Sequence, residues 1–248
     1  METNSQIDPL SSSQIEELRK FDTPTVANAL ELIDPSWDRV SGIMAPRIQS
    51  LFPEKDPLVG YASTLLFSTR HPAPTKRLHA NWPDYWRYIL TVPGPRVSVG
   101  QDTDAAPARG SLWGEIQASI HTALGCVGAV LEGAMRDLDP MRVLDYPCFA
   151  REVVVGHAHA HIVDFGHAVE VGGVVVHSGD LIHADLHGVL VIPHAAASRL
   201  AATCRKIYDM ERPLIAVCRD HANFTVERLI HAYEEFAQEY PEEAPPTE

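Results

Sequence analysis

Nothing in this chain of 248 residues approaches the run of roughly 18 apolar residues that a membrane span requires, so no transmembrane segment is expected. Basic stretches are short too: no run of Lys and Arg exceeds two residues, and the formal net charge is −13. A surface that grips nucleic acid or an anionic membrane needs the opposite balance, so neither partner is expected. The start, METNSQIDPL, lacks the basic and then apolar layout of a secretory signal. Cysteine is scarce. Cys126, Cys148, Cys204 and Cys218 lie far apart, form no CxxC pair, and three of them sit among apolar neighbours. That pattern reads as reduced core thiols in a cytoplasmic protein rather than disulfides or a zinc site. No GxGxxG or P-loop pattern is present, which removes the usual signals for a nucleotide cradle.

What is present suffices for one large domain with extensions, since 45% of the residues are hydrophobic, as in ordinary globular proteins. Residues 1–57 read as N-terminal helices and an irregular, proline-punctuated connection packed on the core. Ser13 with Glu16 three residues on is a capping-box pattern for a first helix, and Thr23-Pro24 opens a second. Residues 58–210 read as an α/β core. LVGYASTLLFST and RVSVGQD are strands, with DYWRYIL a short amphipathic helix between them, and a short helix near residues 140–144 precedes the strand CFAREVVV. HAHAHIVDF, AVEVGGVVV with Gly172-Gly173 as a hairpin or bulge signal, and LIHADLHGVLVIP make the next segment β-rich. Helices are expected over 194–210 and 224–239, with 211–240 forming a C-terminal helical extension and 241–248 a disordered tail. Alternating units followed by strands point to α/β layering of a non-barrel kind.

Two dipeptides carry most of the chemistry: Gly114-Glu115 and, after twenty residues, Arg136-Asp137. Between them Leu112, Ile116, Ile120 and Leu124 form a helical stripe over 112–124, with Ser111 where an N-cap belongs and Gly125 where a C-cap belongs. VGAVLEG then reads as a buried strand. A thirteen-residue helix spans roughly 20 Å, and a strand of this length spans about the same. A helix running down and a strand running back therefore bring Glu115 beside Arg136 and Asp137. There the unpaired N–H groups of the first helical turn favour an anion. A guanidinium, two carboxylates able to hold a metal, and an amide cradle would share one edge. The plainer reading is a surface salt bridge at a helix start.

The run WGEIQASIHTALGCVGAVLEGAMRDLDPMRVLDYPCFAR, continued by VEVGGVVVHSGDLIHADLHGVLVIP, resembles the RraA-like family. Its members include 4-hydroxy-4-methyl-2-oxoglutarate aldolases and the regulator of ribonuclease E activity. The resemblance covers about residues 58–205, and TPTVANAL fits the family's usual N-terminus. It implies an α/β fold, a layered α-β-β-α RraA-like domain with a swivelling-type β core, assembled as homotrimers or dimers of trimers with sites at subunit boundaries. It also implies a class II, metal-dependent aldolase that cleaves a small 4-hydroxy-2-oxo acid to pyruvate, uses magnesium or manganese, and can decarboxylate oxaloacetate. By position, Arg136 would grip the carboxylate or ketone oxygen of a pyruvyl group. Asp137 would hold the cation, with Glu115 in its outer shell or acting on a water. Backbone N–H groups of Gly114, Ile116 and Gln117 would hold the substrate carboxylate. Where relatives read Asp-Gly before Ala-x-Arg-Asp, this chain has Glu132-Gly133; where they carry a Gly-Asp-Asn loop it has HANWPDYW, leaving Asn81 or Asp84 as substrate contacts. The family's other branch, non-catalytic regulators that bind a protein partner, lacks the complete acidic set.

Thirteen histidines are many. His157, His159 and His161 alternate, so on a strand all three would point to one face, and His183, Asp185 and His187 repeat that spacing. A His-ligated metalloenzyme of different chemistry is one reading. The preferred one is a solvated or subunit-contact face with ordinary pKa values near 6.5, and a structural turn at 183–187. Trp82, Tyr85, Trp86 and Tyr88 bunch where the substrate loop of the relatives falls. Core packing accounts for some of them, and one ring could wall a pocket.

Overall fold

The computed structural model of the protein describes residues 9–73, 82–104 and 108–240, so the candidate contact Asn81 lies outside the described residues. Helix α1 (Ser12–Leu18) opens on a capping box two residues ahead of the expected one: Ser11 accepts from the Gln14 amide while the Gln14 side chain accepts from the Ser11 amide. Helix α2 (Thr23–Ile33) follows, capped by Asp22 and with proline in its first turn.

Four strands, β2 (Leu58–Ser68), β3 (Arg96–Asp102), β4 (Cys126–Met135) and β5 (Cys148–Val153), run parallel and adjacent. Helices α3 (Trp82–Ile89), α4 (Glu115–Ala123) and α5 (Leu138–Val143) stand between them in the chain. The short β1 (Gln49–Ser50) pairs antiparallel with β5. On the other flank, β2 pairs antiparallel with β9 (Leu181–Asp185) over its first half and with β6 (His161–Phe165) over its second. Strand β10 (Gly188–Ile192) extends the sheet beyond β9. A separate hairpin of β7 (Val169–Val171) and β8 (Val174–Val176) turns through Gly172 and Gly173, both at positive φ (60° and 81°), the conformation such a two-residue turn demands.

Alternation along β2 sorts the layers. Val59, Tyr61, Leu65 and Phe67 pack with the helices, while Leu58 and Ala62 pack with the hairpin valines 169, 171, 174 and 176. On the helical side, Tyr85, Ile89, Trp113, Ala118 and Met141 of the α3–α5 half form one cluster. Val26, Leu30, Leu200 and Ile207 form another with α1, α2 and α6. Helix α6 (His194–Arg219) runs 26 residues, past the limit expected at residue 210 and through Pro213. Its buried Ala196, Leu200, Cys204, Ile207 and Met210 keep one face on the core, and α7 (Val226–Glu239) folds back along it. Cys126, Cys148 and Cys204 are buried free thiols, and Cys218 is exposed. No described helix is long and apolar enough to cross a membrane. The parallel strands finish at Ser68, Asp102, Met135 and Val153, the edge at which open α/β sheets bind ligands.

Candidate active site

Helix α4 begins three residues later than a Ser111 cap would begin it: Gly114 is the N-cap, and no side chain caps the helix. Ser111 is used elsewhere. Its hydroxyl lies 2.6 Å from the carbonyl oxygens of both Trp113 and Ala134 and accepts from the Trp113 amide at 3.0 Å. The Arg136 amide donates to the Trp113 carbonyl at 3.1 Å, and Trp113 bridges Met135 in parallel. These bonds stitch the entry of α4 to the end of β4. The first-turn amides of Ile116 and Gln117 have no intrahelical carbonyl to reach, and Gly114 keeps the approach clear. A methyl group on Gly114 would collide with the Asp137 carboxylate.

Asp137 sits in the left-handed region, φ 57° and ψ 42°, which Asp tolerates better than most residues. It occupies the N-cap position of α5, yet its side chain makes no capping bond there. Instead its Oδ2 accepts from the Glu115 amide at 3.3 Å, at the positive end of α4. Arg136 Nε lies 3.6 Å from the same oxygen, and the two side chains are 30% and 32% exposed. Glu115 contributes its backbone to this corner, while its side chain is exposed.

A hollow of about 190 Å³ opens beside Arg136, lined also by Trp82, Ser111, Gly114, Ile116, Gln117 and His157. That volume suits a small acid rather than a drug-sized ligand. One aromatic of the 82–88 cluster, Trp82, therefore walls it. Asp84 does not: it is exposed and pairs with Arg87 at 2.7 Å, because the amphipathic α3 buries Tyr85 and Ile89 and turns Asp84 outward. A larger cavity of about 270 Å³ lies near α1 at the opposite ends of the strands, where Lys55 is already paired with Asp145.

Behind α4, His121 and Tyr85 are fully buried. His121 Nδ1 lies 2.7 Å from the Gln117 carbonyl oxygen, which can only accept, so Nδ1 carries the proton. Its Nε2 then accepts from the Tyr85 hydroxyl at 3.1 Å. Burial lowers the His121 pKa to about 4, so the ring is neutral. The pair ties α3, with Trp82, to the last turn of α4.

The histidine pattern resolves differently from the expected single face. Only His161 stands on β6; His157 and His159 lie in a turn whose Ala158 has φ 47°. His157 Nδ1 is 2.9 Å from the Ala158 carbonyl, and His161 Nδ1 is 2.8 Å from that of His159. His157 and His159 are exposed, whereas His183 is not solvated. It is buried beneath α2 with Nδ1 3.0 Å from Thr23 Oγ1, and burial lowers its pKa to about 4, away from the ordinary value expected for it. Asp185 accepts from the amides of Thr23 at 2.9 Å and His187 at 2.8 Å. The 183–187 set is a structural joint. Among the described residues, no three His, Cys, Asp or Glu side chains gather as a metal cage.

Glu132, the departure from the family's Asp-Gly, also proves structural. Arg47 holds it with two bonds (3.1 and 3.2 Å), Arg151 with one at 3.0 Å, and the Gly172 amide with one at 2.7 Å. Burial works to raise its pKa, but the Arg47 and Gly172 hydrogen bonds prevail and hold it below the usual carboxylate value. The network locks the hairpin turn to β4 and β5. Its partners lie far apart in the chain, so spacing offered no signal for it.

The RraA-like family, described as Aldolase/RraA, matches residues 23–191. The chain belongs to the RraA-like family. That family includes both aldolases and ribonuclease E inhibitors. Protein DlpA of Legionella pneumophila is 34% identical over 141 residues, covering 55% of this chain and 22% of that protein. A putative 4-hydroxy-4-methyl-2-oxoglutarate aldolase of Halalkalibacterium halodurans is 28% identical over 115 residues, covering 46% of this chain and 53% of that protein. The matched stretch thus spans about half or less of the length of these two curated relatives. Among solved structures, an uncharacterized protein from Pseudomonas syringae pv. tomato superposes with a TM-score of 0.71 at 23% identity. That match covers 94% of this chain and all of the other. The mixed α/β RraA-like fold is therefore the one the sequence pointed to, and α6 and α7 lie beyond the matched region 23–191.

Proposed function

We propose that this RraA-like protein is a divalent-metal-dependent lyase that cleaves a small 4-hydroxy-2-oxo acid by a retro-aldol reaction to give pyruvate, and that it also decarboxylates oxaloacetate. One observation carries the reading: Arg136 lines a small hollow at the uncapped start of α4, with Asp137 at the same corner. Arg136 grips the substrate carboxylate or ketone oxygen, a charge-assisted contact of about 1.5–3 kcal/mol. The amides of Gly114, Ile116 and Gln117 hold the carboxylate, and Trp82 closes the wall against water.

The donor chemistry fits magnesium or manganese. Asp137 keeps a carboxylate that is not spent on capping α5, and Glu115 meets it at this corner through its backbone amide. Hard cations of this kind are commonly bound by one or two carboxylates, waters and substrate oxygens rather than by an all-protein cage. When bound, such a cation supplies stabilisation of the enolate charge common to both reactions. Asp137 would hold it, with Glu115 in its outer shell. The protein is read as working as a homotrimer or dimer of trimers. Exposed apolar side chains, Ile116 (69%) on the hollow and Val155 (99%) two residues before His157, support an assembly that covers them.

The test is a pyruvate-release assay with several 4-hydroxy-2-oxo acids and oxaloacetate, with and without magnesium. Metal-dependent release is expected, reduced about a thousandfold by Arg136→Ala with the fold intact by circular dichroism. No release from any of these acids would overturn the lyase reading in favour of a non-catalytic regulator.

A further inference from the structure

A retro-aldol reaction must remove the proton of the substrate's 4-hydroxyl, and the exposed Glu115 side chain does not line the hollow. We infer that His157 is the general base, an assignment that rests on the lyase reading above. Of the three histidines at 157, 159 and 161, only His157 lines the hollow with Arg136. His161 is buried, and His159 is fixed through its amide to the Thr69 carbonyl at 3.0 Å.

The tautomer suits the task. The Ala158 carbonyl 2.9 Å from His157 Nδ1 can only accept, so Nδ1 bears the hydrogen and Nε2 keeps its lone pair. The turn that presents the ring is built rather than loose. Ala158 adopts φ 47°, a conformation that favours glycine and that concentrates at functional sites when a non-glycine residue holds it. Gly110 allows the turn to dock: a methyl group there would collide with the His157 carbonyl and the Ala158 side chain. The Ser111 amide donates to the Gly156 carbonyl at 3.1 Å, next to the Ser111 hydroxyl that fixes the entry of α4. The imidazole, the guanidinium of Arg136 and the first-turn amides of α4 are thereby tied to one loop.

The step balances as follows. His157 Nε2 takes the 4-hydroxyl proton, the O–H electron pair forms the new C=O bond at C4, and the C3–C4 bond breaks. Its electron pair enters the enolate of pyruvate, and the imidazolium then returns the proton to C3. Decarboxylation of oxaloacetate reaches the same enolate without a hydroxyl proton to remove. The ratio of the two activities therefore isolates the base.

The experiment compares His157→Asn and His157→Ala with the wild-type chain on a 4-hydroxy-2-oxo acid and on oxaloacetate, with His159→Ala as a control and thermal melts to verify folding. The expected result is a fall of about a hundredfold in the ratio of retro-aldol to decarboxylation rate, partial rescue of His157→Ala by added imidazole, and no change of ratio in His159→Ala. An unchanged ratio in both His157 variants, whether through retention or equal loss of the two activities, overturns the assignment while leaving the lyase reading in place. A wild type that releases pyruvate from neither substrate removes both.

Discussion

Asp137 and Asp185 each follow or finish a core strand, and each extends a carboxylate to the first turn of a helix laid beside the sheet. Asp185 accepts from the Thr23 amide at the start of α2, from the His187 amide, and from the His187 ring at 3.1 Å, and its side chain is 5% exposed. Asp137 accepts one long bond from the Glu115 amide at the start of α4 and is 32% exposed. Both use the partial positive charge of a helix N-terminus. The difference lies in saturation. A carboxylate whose acceptor sites are filled and shielded from water holds elements together; one left partly hydrated beside an arginine and a hollow can engage a ligand.

Paired substitutions sharpen the contrast. Asp137→Asn keeps a residue suited to the left-handed turn, so pyruvate release should fall about a thousandfold, roughly 4 kcal/mol of barrier, with the melting temperature nearly unchanged. Asp185→Asn should do the reverse. Loss of the buried charge and its amide bonds should cost about 3 kcal/mol of stability in urea unfolding with the turnover of folded protein retained. If both substitutions acted mainly on stability, the contrast would fail.

A smaller effect is expected at Gly114→Ala, where the added methyl must push the Asp137 carboxylate aside. Activity should drop about a hundredfold, in line with a displaced group at a reacting centre, and a crystal structure of the variant should show Asp137 moved. An Asp137 that stays in place with full activity would show that the close approach is incidental.

The smallest effect tests the structural side. Burial holds His183 and His121 near a pKa of about 4 against an ordinary 6.5, so between these values the unfolded chain binds more protons than the folded one. Stability must therefore fall as pH drops through that window, by about 2 kcal/mol per histidine at pH 5. Urea melts at pH 7 and pH 5 should show the loss, and His183→Gln should make the dependence shallower. An equally steep dependence in the variant would mean that folding leaves the His183 pKa unshifted.

Much of this was legible from residue patterns. The Gly114-Glu115 and Arg136-Asp137 spacing placed the start of α4 and the end of β4 at one corner, although the helix has nine residues rather than thirteen and the strand runs over the ten residues Cys126–Met135 rather than VGAVLEG alone. The glycine pair at 172–173 announced its hairpin because both positions take positive φ. Local competition was harder to read. Ser111 has the identity of an N-cap, but its hydroxyl finds better partners in the Trp113 carbonyl and in that of Ala134 near the end of β4. The alternation at His157, His159 and His161 breaks because Ala158 takes a left-handed turn that an alanine does not advertise. Asp84 fell on the outer face of α3, opposite the buried Tyr85. Glu132 could not be understood without Arg47, 85 residues away in the chain, nor could the reach of α6 past residue 210, since Pro213 is a poor omen for a continuing helix.

The left-handed backbone at Asp137 has an evolutionary consequence. Asparagine and glycine adopt that conformation as readily as aspartate, and α5 takes no capping bond from the side chain, so the scaffold has little stake in the charge. One nucleotide substitution could silence the corner and leave a properly folded protein free to serve another purpose. A lineage built on such a hinge of sequence has a short path between chemistry and regulation.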